Sequence, residues 1–259
     1  MQFQGMKGTY QAIEELGRTN SSKLYLCEDK DQNLLFAKIH KRGRASHVYN
    51  EMLRFSQLPP HPNLVPPIDV GVNRRAEMFF PLLTAIDLGA MHSGGYFMNV
   101  GIVPEVLSGI GSALTTMHDQ GIVHCDVKPE NMMIGLDAND QVTKQLIDLG
   151  LATPIGKISL YYATPYCSAP ETLMEARKPV SPATDVYALA ATAYEMITKL
   201  PAFSGESAMD SIIKNCKGPR PIVPDKKDLT DLLQKAMAIK QKDRVQTVDE
   251  FLTYLAQVM

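Results

Sequence analysis

The sequence predicts an α+β fold in which a strand-rich part precedes a helical part. Segments with the apolar pattern of strands occur at residues 10–16, 23–28, 34–39 and 77–83. After residue 84 the apolar residues recur mainly at helical spacing. The segment from Asp185 to Ile197 is apolar nearly all round, which is typical of a fully buried helix. We therefore expect a small N-terminal domain, residues 1–83, and a larger C-terminal domain, residues 84–259.

The composition excludes several classes of protein. The 259 residues are 45% hydrophobic and 21% charged, as in a globular chain with a sizeable core. The formal net charge of −2 predicts no binding to nucleic acid and no general attraction to an anionic membrane. The four cysteines are far apart and form no CxxC pair, so neither a zinc site nor a disulfide framework is predicted.

The chain is expected to be cytoplasmic. Its first ten residues lack a basic segment followed by an apolar run, which is the pattern of a secretory signal. No apolar stretch approaches the roughly 20 residues that a membrane span requires. Reduced cysteines suit the same compartment. Delivery into another cell by a specialised secretion system is kept as an alternative.

In the strand-rich part, one lysine has an unusual setting. Lys38 lies in the segment 34–39 among apolar residues. By itself such a lysine is commonly an edge residue whose stem covers apolar surface while its ammonium reaches water. A helix is predicted at residues 46–58, and prolines at residues 59–63 end it.

The helical part contains one predicted hairpin. Two short strands, residues 132–134 and 144–147, flank a polar turn. They follow a helix whose apolar residues between Val103 and Met117 share one face. The last helix begins at Thr247, and Glu250 stands three residues later in the spacing of a capping box.

Polar side chains cluster on either side of this hairpin. Residues 124–131, His-Cys-Asp-Val-Lys-Pro-Glu-Asn, place a carboxylate, an ammonium and a carboxamide in one short loop, and Asp148 adds a second carboxylate. Carboxylate and amide oxygens are hard ligands of the kind that Mg²⁺ takes while it keeps waters and substrate phosphates. Another carboxylate can accept a hydroxyl proton, and a lysine can neutralise charge on a phosphoryl group in transfer. These are the groups that phosphoryl transfer needs.

The same residues carry a family resemblance. The loop 124–131, the triplet Asp148-Leu149-Gly150 and the block Ala-Thr-Pro-Tyr-Cys-Ser-Ala-Pro-Glu at residues 163–171 resemble motifs of eukaryotic-like serine/threonine protein kinases. The motifs occur in the order of that family, and the resemblance extends from Gly17 to about the last helix. It implies a bilobal fold, with a small antiparallel sheet lobe that has one helix and a larger, mainly helical lobe.

The resemblance implies transfer of the ATP γ-phosphate to Ser/Thr hydroxyls of proteins, autophosphorylation included, with Mg²⁺ or Mn²⁺ as the metal ion. Asp126 would accept the proton of the substrate hydroxyl, and Lys128 would offset charge on the γ-phosphoryl group. Thr164 would brace these two side chains. Asn131 and Asp148 would hold the metal ion.

The resemblance also implies residues for the nucleotide and for the framework. Lys38, oriented by Glu51, would hold the α- and β-phosphates of ATP in the cleft between the lobes. The other residues expected at the nucleotide are Gly17, Leu24, Ala37, Leu83 and Met133. Among framework residues, Asp185 would anchor the catalytic loop, and Glu171 would pair with Arg244 as a buried ion pair.

Three features depart from the family pattern. Cys125 replaces an arginine that usually pairs a phosphate on the activation segment, residues 148–171. We therefore hypothesise that packing or an activating partner holds this segment, without phosphorylation of Thr153, Ser159, Tyr161 or Tyr162. Leu149 stands where phenylalanine is usual. Thr19 and Ser22 replace two glycines of the phosphate loop, which restricts its backbone.

Two other functions are compatible with parts of the pattern. A pseudokinase would keep the fold as a nucleotide-binding scaffold, and Cys125 and the glycine-poor loop favour it. The presence of all four residues expected for catalysis argues against it; they are Lys38, Asp126, Asn131 and Asp148. A small-molecule kinase would share the spacing of Asp126 and Asn131, whereas Lys128, the Ala-Pro-Glu block and Arg244 indicate a protein acceptor. A comparison of phosphate transfer to proteins with transfer to sugars and amines separates a protein kinase from a small-molecule kinase.

Overall fold

The computed structural model describes all residues except 19–21, 44, 73–74, 138, 160–163 and 174–177. The chain forms two compact units. The first comprises Met1–Gln57 and Val65–Thr84, and the second comprises Leu58–Leu64 and Ala85–Met259. The division expected from the sequence differs in assigning residues 58–64 to the first part.

The first unit contains an antiparallel sheet in the strand order β1-β2-β3-β4-β6-β5. Its strands are β1 (Gln2–Gln4), β2 (Thr9–Arg18), β3 (Ser22–Glu28), β4 (Leu34–His40), β5 (Asp69–Val72) and β6 (Ala76–Pro81). The four segments predicted as strands in this part of the chain correspond to β2, β3, β4 and β6. The strand-rich half of the predicted α+β fold is therefore confirmed.

The sequence analysis misses β1 and β5, which are too short for an alternation to be visible. Asp69 opens β5 and is buried. Its carboxylate accepts hydrogen bonds from Met6 N at 3.1 Å, Lys7 N at 2.9 Å and the Tyr10 hydroxyl at 2.7 Å. It thereby fixes the turn between β1 and β2. Burial and the bond to Asp69 raise the pKa of Tyr10.

The two faces of this sheet are covered differently. One face carries a buried cluster from β1 to β4 and β6, comprising Phe3, Tyr10, Tyr25, Cys27, Leu35, Ala37, Ile39 and Phe79. On the other face lies the helix α1 (Ala45–Ser56), whose Val48 and Met52 pack against Ala76, Met78 and Phe80 of β6. Because neighbouring residues of a strand point to opposite faces, each strand contributes to both.

The second unit is mainly helical. Its helices are α2 (Leu88–Ser93), α3 (Val103–Asp119), α4 (Pro170–Leu173), α5 (Pro182–Thr198), α6 (Ala208–Lys217), α7 (Lys227–Ala236) and α8 (Val248–Val258). Its strands are β7 (Ala85–Asp87), β8 (Ile122–Val123), β9 (Met132–Leu136), β10 (Val142–Leu146) and β11 (Thr153–Pro154). The predicted hairpin corresponds to β9 and β10. Strand β7 pairs with β9 on the side away from β10.

Helix α5 lies at the centre of this unit, as its apolar composition predicts. It contacts α3, α7 and α8, and most of its side chains are buried. A reciprocal capping box between Ser181 and Thr184 begins it. At α8 the predicted box forms only in part: Thr247 accepts from Glu250 N at 3.2 Å, whereas the Glu250 carboxylate accepts from Gln246 N at 3.2 Å.

One helical stretch of the described residues, Val100–Asp119, is long and apolar enough to cross a membrane by length and composition alone, with a mean hydropathy of 1.3. The hydrophobic core helix of a globular protein passes the same test. Eight residues of α3 are buried, and the helix contacts α5 and α8. The sequence analysis, which looks for an uninterrupted apolar run, does not flag this stretch.

Candidate active site

A carboxylate at the start of α5 anchors the loop 124–131. Asp185 is fully buried, and it accepts hydrogen bonds from His124 N at 2.8 Å and Cys125 N at 2.9 Å. The ring of His118, at the end of α3, contacts the same carboxylate at 2.8 Å. A negative charge in the first turn of a helix also interacts favourably with the helix dipole. Sequence reasoning identifies Asp185 through the family resemblance and misses His118.

The anchored loop has a strained backbone. Cys125 has φ of +67°, in the left-handed region that residues other than glycine seldom adopt. Such a conformation persists where the surroundings determine it, and here both flanking amides are tied to Asp185 and to the His124 ring. The strained residue immediately precedes Asp126, so the anchoring determines where the Asp126 carboxylate lies.

Asp126, Lys128 and Thr164 form a closed triangle of contacts. Lys128 Nζ lies 2.8 Å from Asp126 Oδ2, and the Thr164 hydroxyl donates to Asp126 Oδ1 at 2.8 Å. Lys128 Nζ also donates to Thr164 Oγ1 at 3.1 Å. Burial alone would lower the pKa of Lys128, but the adjacent Asp126 carboxylate outweighs burial and raises it. The lysine is therefore a cation near neutral pH.

Asn131 and Asp148 stand at the same end of one hairpin. Asn131 immediately precedes β9, and Asp148 follows β10. The adjacent strand residues, Met132 of β9 and Leu146 of β10, are paired. A further bond from Ile147 N to Asn131 O, at 3.0 Å, extends this pairing. The hairpin thus brings together two positions that are 17 residues apart in the sequence.

The chemistry of this pair suits a hard cation. The Asn131 amide nitrogen donates to Asp126 O at 2.8 Å and to Asp126 Oδ2 at 3.0 Å, which leaves the Asn131 carbonyl oxygen as the atom that a metal ion would contact. Asp148 supplies carboxylate oxygens. Mg²⁺ is commonly held by one or two protein oxygens together with waters and phosphates. Among the described residues no group of three or more His, Cys, Asp or Glu side chains forms a metal site.

Three of the predicted nucleotide residues form one row across the first unit's sheet. Gly17 of β2 pairs with Leu24 of β3, and Leu24 pairs with Lys38 of β4. On the far side of Lys38 its partner is Met78 of β6. Directly paired residues lie on the same face of a sheet, and Met78 contacts the residues of α1. Lys38 therefore shares a face with the helix that contains Glu51, which is buried. A Lys38–Glu51 pair stays a prediction.

The structure separates Ala37 from this row. Ala37 is fully buried in the cluster on the opposite face, with Tyr25 and Phe79 as its cross-strand partners. Because successive residues of a strand alternate, Ala37 and Lys38 cannot point to the same side. The prediction that Ala37 lies at the nucleotide together with Lys38 and Leu24 therefore needs correction. The β4 residue that shares the Lys38 face is Phe36, which the sequence analysis misses.

The other predicted nucleotide residues are placed as follows. Leu83 follows β6 and is partly buried. Met133 lies in β9 of the second unit, opposite Asp87 of β7. Thr19, at the second glycine position, lies outside the described residues, whereas Ser22, at the third, is buried at the start of β3. Roles in nucleotide binding stay predictions for all of these.

A buried ion pair braces the end of the activation segment. Arg244 donates from Nη1 to Glu171 Oε1 at 2.8 Å and from Nη2 to Glu171 Oε2 at 2.7 Å, in a two-bond geometry that fits a carboxylate. Thr184 and Gln241 add donors to Glu171 Oε1. Burial by itself raises the pKa of Glu171, but the Arg244 guanidinium reverses the shift and lowers that pKa. Sequence reasoning misses Gln241.

Main-chain pairing holds the beginning of the activation segment. β11 pairs with β8, and Ile155 N donates to Gly121 O at 2.8 Å. Beyond it, Gly156 N donates to Val180 O, and Val180 N donates to Lys157 O, both at 2.9 Å. Cys125 lies beside this pairing, in an apolar cluster with Val123, Val180 and Leu151. Burial raises the pKa of its thiol well above the usual value.

Two of the hydroxyl residues considered for phosphorylation are buried. Thr153 is 8% exposed and Ser159 is 2% exposed. Thr153 Oγ1 donates to Leu151 O at 2.9 Å. Tyr161 and Tyr162 lie outside the described residues. Leu149, at the position where phenylalanine is usual, is buried.

A cavity of about 300 Å³ lies beside the loop 124–131. Its lining includes the carboxylates of Glu130 and Glu195 and the ring of His92, whose Nδ1 lies 3.2 Å from Glu195 Oε1. Glu130 accepts a hydrogen bond from the Tyr166 hydroxyl. Gly89 leaves room for this glutamate, since a Cβ at position 89 would lie 2.5 Å from Glu130 Cγ. Two carboxylates in one cavity favour a cationic group. Sequence reasoning misses this cavity.

Comparison with known proteins agrees with this geometry. The protein kinase domain family matches residues 10–254. The serine/threonine-protein kinase PknA of Mycobacterium tuberculosis (strain ATCC 25618 / H37Rv) is 25% identical over 232 residues, which are 85% of this chain and 50% of PknA. The serine/threonine-protein kinase pkn3 of Myxococcus xanthus is 27% identical over 166 residues, 60% of this chain and 30% of pkn3.

The serine/threonine-protein kinase pak-1 of Caenorhabditis elegans is 26% identical over 151 residues, which are 57% of this chain and 26% of pak-1. The chain therefore spans half or less of the length of these curated relatives. The family match, in contrast, extends over nearly all of the chain, and it includes every motif residue discussed above. The chain belongs to the protein kinase domain family.

Proposed function

We propose that this chain transfers the γ-phosphoryl group of ATP to serine or threonine hydroxyls of proteins. The observation that carries the proposal is the triangle of Asp126, Lys128 and Thr164, with contacts of 2.8, 2.8 and 3.1 Å. A carboxylate and an ammonium in fixed positions supply the two groups that this reaction asks of a protein, a proton acceptor and a positive charge. The relatives, named as serine/threonine-protein kinases, support the same acceptors.

The two oxygens of Asp126 have different hydrogen-bond partners. Oδ2 contacts both Lys128 and Asn131. Among the described residues, Oδ1 accepts from the Thr164 hydroxyl alone. A carboxylate oxygen has two lone pairs. Oδ1 can therefore accept a second hydrogen bond, and we infer that the substrate hydroxyl donates to this atom.

A substrate hydroxyl that donates to Asp126 Oδ1 is in position to react with ATP. The substrate oxygen forms a bond to the γ-phosphorus, the bond from that phosphorus to the β,γ-bridging oxygen breaks, and ADP leaves. The hydroxyl proton passes to Asp126 Oδ1. Lys128, held by the same aspartate, offsets negative charge on the phosphoryl oxygens in transfer. The rate enhancement comes from positioning and electrostatics, since no covalent intermediate is involved.

The family uses ATP with a divalent metal ion, and we propose Mg²⁺, with Mn²⁺ as a substitute. The Asn131 carbonyl and the Asp148 carboxylate would hold it. When bound, the ion neutralises charge on the ATP phosphate oxygens. Asn131 contributes in a second way, because its amide nitrogen is bonded to Asp126 and so links the metal ligand to the proton acceptor.

For the nucleotide we propose the face of the first unit's sheet on which Gly17, Leu24 and Lys38 are aligned. Lys38, with Glu51 as its carboxylate partner, would contact the α- and β-phosphates. The small side chain at position 17 leaves the backbone accessible to phosphate oxygens. Phe36, on the same face of β4, takes the place at the nucleotide that the sequence analysis gives to Ala37.

Transfer of labelled γ-phosphate tests this proposal. Mg·[γ-³²P]ATP is supplied with the chain alone and then with casein or a basic protein as the acceptor. We compare the unmodified chain with Asp126→Asn, and with Asp231→Asn, an exposed carboxylate in α7, as the matched control. Label on serine or threonine that Asp126→Asn abolishes and Asp231→Asn retains is the expected result.

The other outcomes select the alternatives. Nucleotide binding without any transfer would contradict the proposal and favour a pseudokinase scaffold. Transfer to sugars or amines, but not to proteins, would favour a small-molecule kinase. Label on the chain itself would also establish autophosphorylation, which the labelled residues, read by mass spectrometry, would locate.

A further inference from the structure

One buried side chain of α6 contacts the turn that carries Thr164. Asn215 is fully buried. Its amide nitrogen donates to Pro165 O and to Ser168 O, both at 2.9 Å. Both donor positions of the amide are therefore occupied by main-chain carbonyls of residues 165–168. No catalytic motif includes Asn215, and it is 50 residues away from this turn in the sequence.

The same turn is tied to the catalytic triangle at its other end. Ser168 N donates to Thr164 O at 3.0 Å, and the Thr164 hydroxyl contacts Asp126 Oδ1. Asn215 thus holds the carbonyls of this short segment, and Asp126 holds the Thr164 side chain at its start. Pro165, with its fixed φ, stiffens the connection between them. A displacement of the carbonyl at 165 or 168 would therefore reach Thr164.

A hydrogen bond to the amide oxygen of Asn215 supports the orientation of this amide. Its Oδ1 accepts from the Tyr187 hydroxyl at 2.5 Å, and that hydroxyl accepts from Arg220 Nη1 at 2.7 Å. Arg220 also donates to the main-chain oxygens of Asn215 at 2.7 Å and Met237 at 3.0 Å. A rotated amide would direct its oxygen at two carbonyl oxygens, which repel it. The donors of Asn215 are consequently preset toward the turn.

We propose that Asn215 is a positioning residue for phosphoryl transfer, which acts by holding the turn 164–168 so that Thr164 stays bonded to Asp126 and Lys128. This inference depends on the proposed function for its kinetic part. Its structural part, the restraint of the turn by Asn215, can be tested without any activity. Asn215 touches neither the triangle nor a phosphate, so its effect passes through Thr164.

The test variant is Asn215→Asp, which keeps the shape and the acceptor for Tyr187 but replaces the donor with oxygen. The matched control is Tyr187→Phe, which removes the hydrogen bond to Asn215 Oδ1. In this variant the repulsion between Oδ1 and the two carbonyl oxygens still directs the amide donors at the turn. If Asn215→Asp does not fold, Asn215→Ser takes its place, because a serine hydroxyl is too short to bridge both carbonyls. Folding of each variant is measured by thermal unfolding.

Hydrogen–deuterium exchange decides the structural part. In Asn215→Asp the amides of Cys167 and Ser168, which face Thr164 O, should exchange about tenfold faster, since each orphaned buried partner weakens the local structure. In Tyr187→Phe their exchange should stay close to that of the unmodified chain. Equal exchange in the unmodified chain and in Asn215→Asp would overturn the proposal, whether or not the chain is active.

Kinetics decide the catalytic part. Per folded molecule, Asn215→Asp should reduce kcat for the acceptor about tenfold or more, with little change in KM for ATP. In a Thr164→Val background the same substitution should add little further loss, because both act through one contact. Independent, multiplying losses would contradict the proposal. An unmodified chain that transfers no phosphate would instead refute the proposed function and leave the exchange result standing.

Discussion

The buried ion pair between Glu171 and Arg244 provides a prediction whose size follows from its geometry. Both side chains are buried, and two hydrogen bonds of 2.8 and 2.7 Å join them. In Arg244→Leu, Glu171 would lose its cationic partner and keep neutral donors, among them Thr184 and Gln241. An uncompensated buried charge costs about 3–5 kcal/mol. For a chain of this size that corresponds to a fall in Tm of about 6–20 °C.

Urea unfolding followed by circular dichroism measures the effect. The control is Glu171→Leu combined with Arg244→Leu, in which no charge is left buried, and it should be less destabilised than Arg244→Leu alone. A free energy of unfolding for Arg244→Leu within about 1 kcal/mol of the unmodified chain would refute the reasoning. It would mean that water or the neutral donors compensate the Glu171 charge.

The pH dependence of folding stability tests independently whether Arg244 lowers the pKa of Glu171. Burial raises the pKa of Glu171, but Arg244 lowers it below the ordinary value of 4.5. The folded-state pKa is therefore depressed, so this group contributes stability above about pH 4.5 that is lost as the pH falls through the folded pKa. In Arg244→Leu the neutral donors that remain oppose burial only in part, so burial raises that pKa and stability is regained on acidification. The difference between the two chains should narrow from about pH 7 to about pH 4.5, and a widening difference would contradict the assignment.

Two further predictions concern the activation segment and the acceptor. Replacing Thr153 and Ser159 by alanine should leave the initial rate of transfer, per folded molecule, close to that of the unmodified chain, because both hydroxyls are buried; a large loss with intact folding would contradict this. Replacing Glu130 and Glu195 by glutamine should raise KM for peptides with an arginine near the acceptor hydroxyl, because these carboxylates line one cavity. The KM of matched alanine peptides should stay unchanged, and equal shifts for both peptides would show that the cavity does not select a cation.

Periodicity predicted most of the fold, and it failed where elements are short. The sheet strands β2, β3, β4 and β6 have enough residues for the alternation of apolar side chains to be visible. β1 and β5 do not, and they depend on a tertiary contact instead. That contact is made by Asp69, whose carboxylate is bonded to Met6 N and Lys7 N. A single sequence contains no signal for bonds between a side chain and distant main-chain amides.

The error at Ala37 was avoidable. The sequence analysis places both Ala37 and Lys38 at the nucleotide, although adjacent residues of a strand point to opposite faces. The same rule that identified 34–39 as a strand assigns Lys38 and Phe36 to one face and Ala37 to the other. The register of β3 and β4 then shows which face carries Gly17 and Leu24. That register required the structure.

Asn215 marks the limit of sequence reading for this site. Its partners in the turn are the carbonyls of residues 165 and 168, and every residue supplies such a carbonyl. The family resemblance identifies the residues of the catalytic triangle, although Lys128 and Thr164 are 36 positions apart in the sequence. No comparable pattern links α6 to the turn, so the positioning role emerges only from the packing.

We propose that Cys125 and its surroundings hold the activation segment without a phosphate. The stem of an arginine at this position would have to pass through the cluster of Val123, Val180 and Leu151, where the cysteine is 3% exposed. Main-chain bonds along β8 and β11 do not depend on a charged partner. Since Thr153 lies within this pairing and is itself buried, adding a phosphate there would open the segment that phosphorylation usually orders. In this proposal the apolar cluster and the missing arginine are two parts of one arrangement, in which packing replaces modification as the means of fixing the segment.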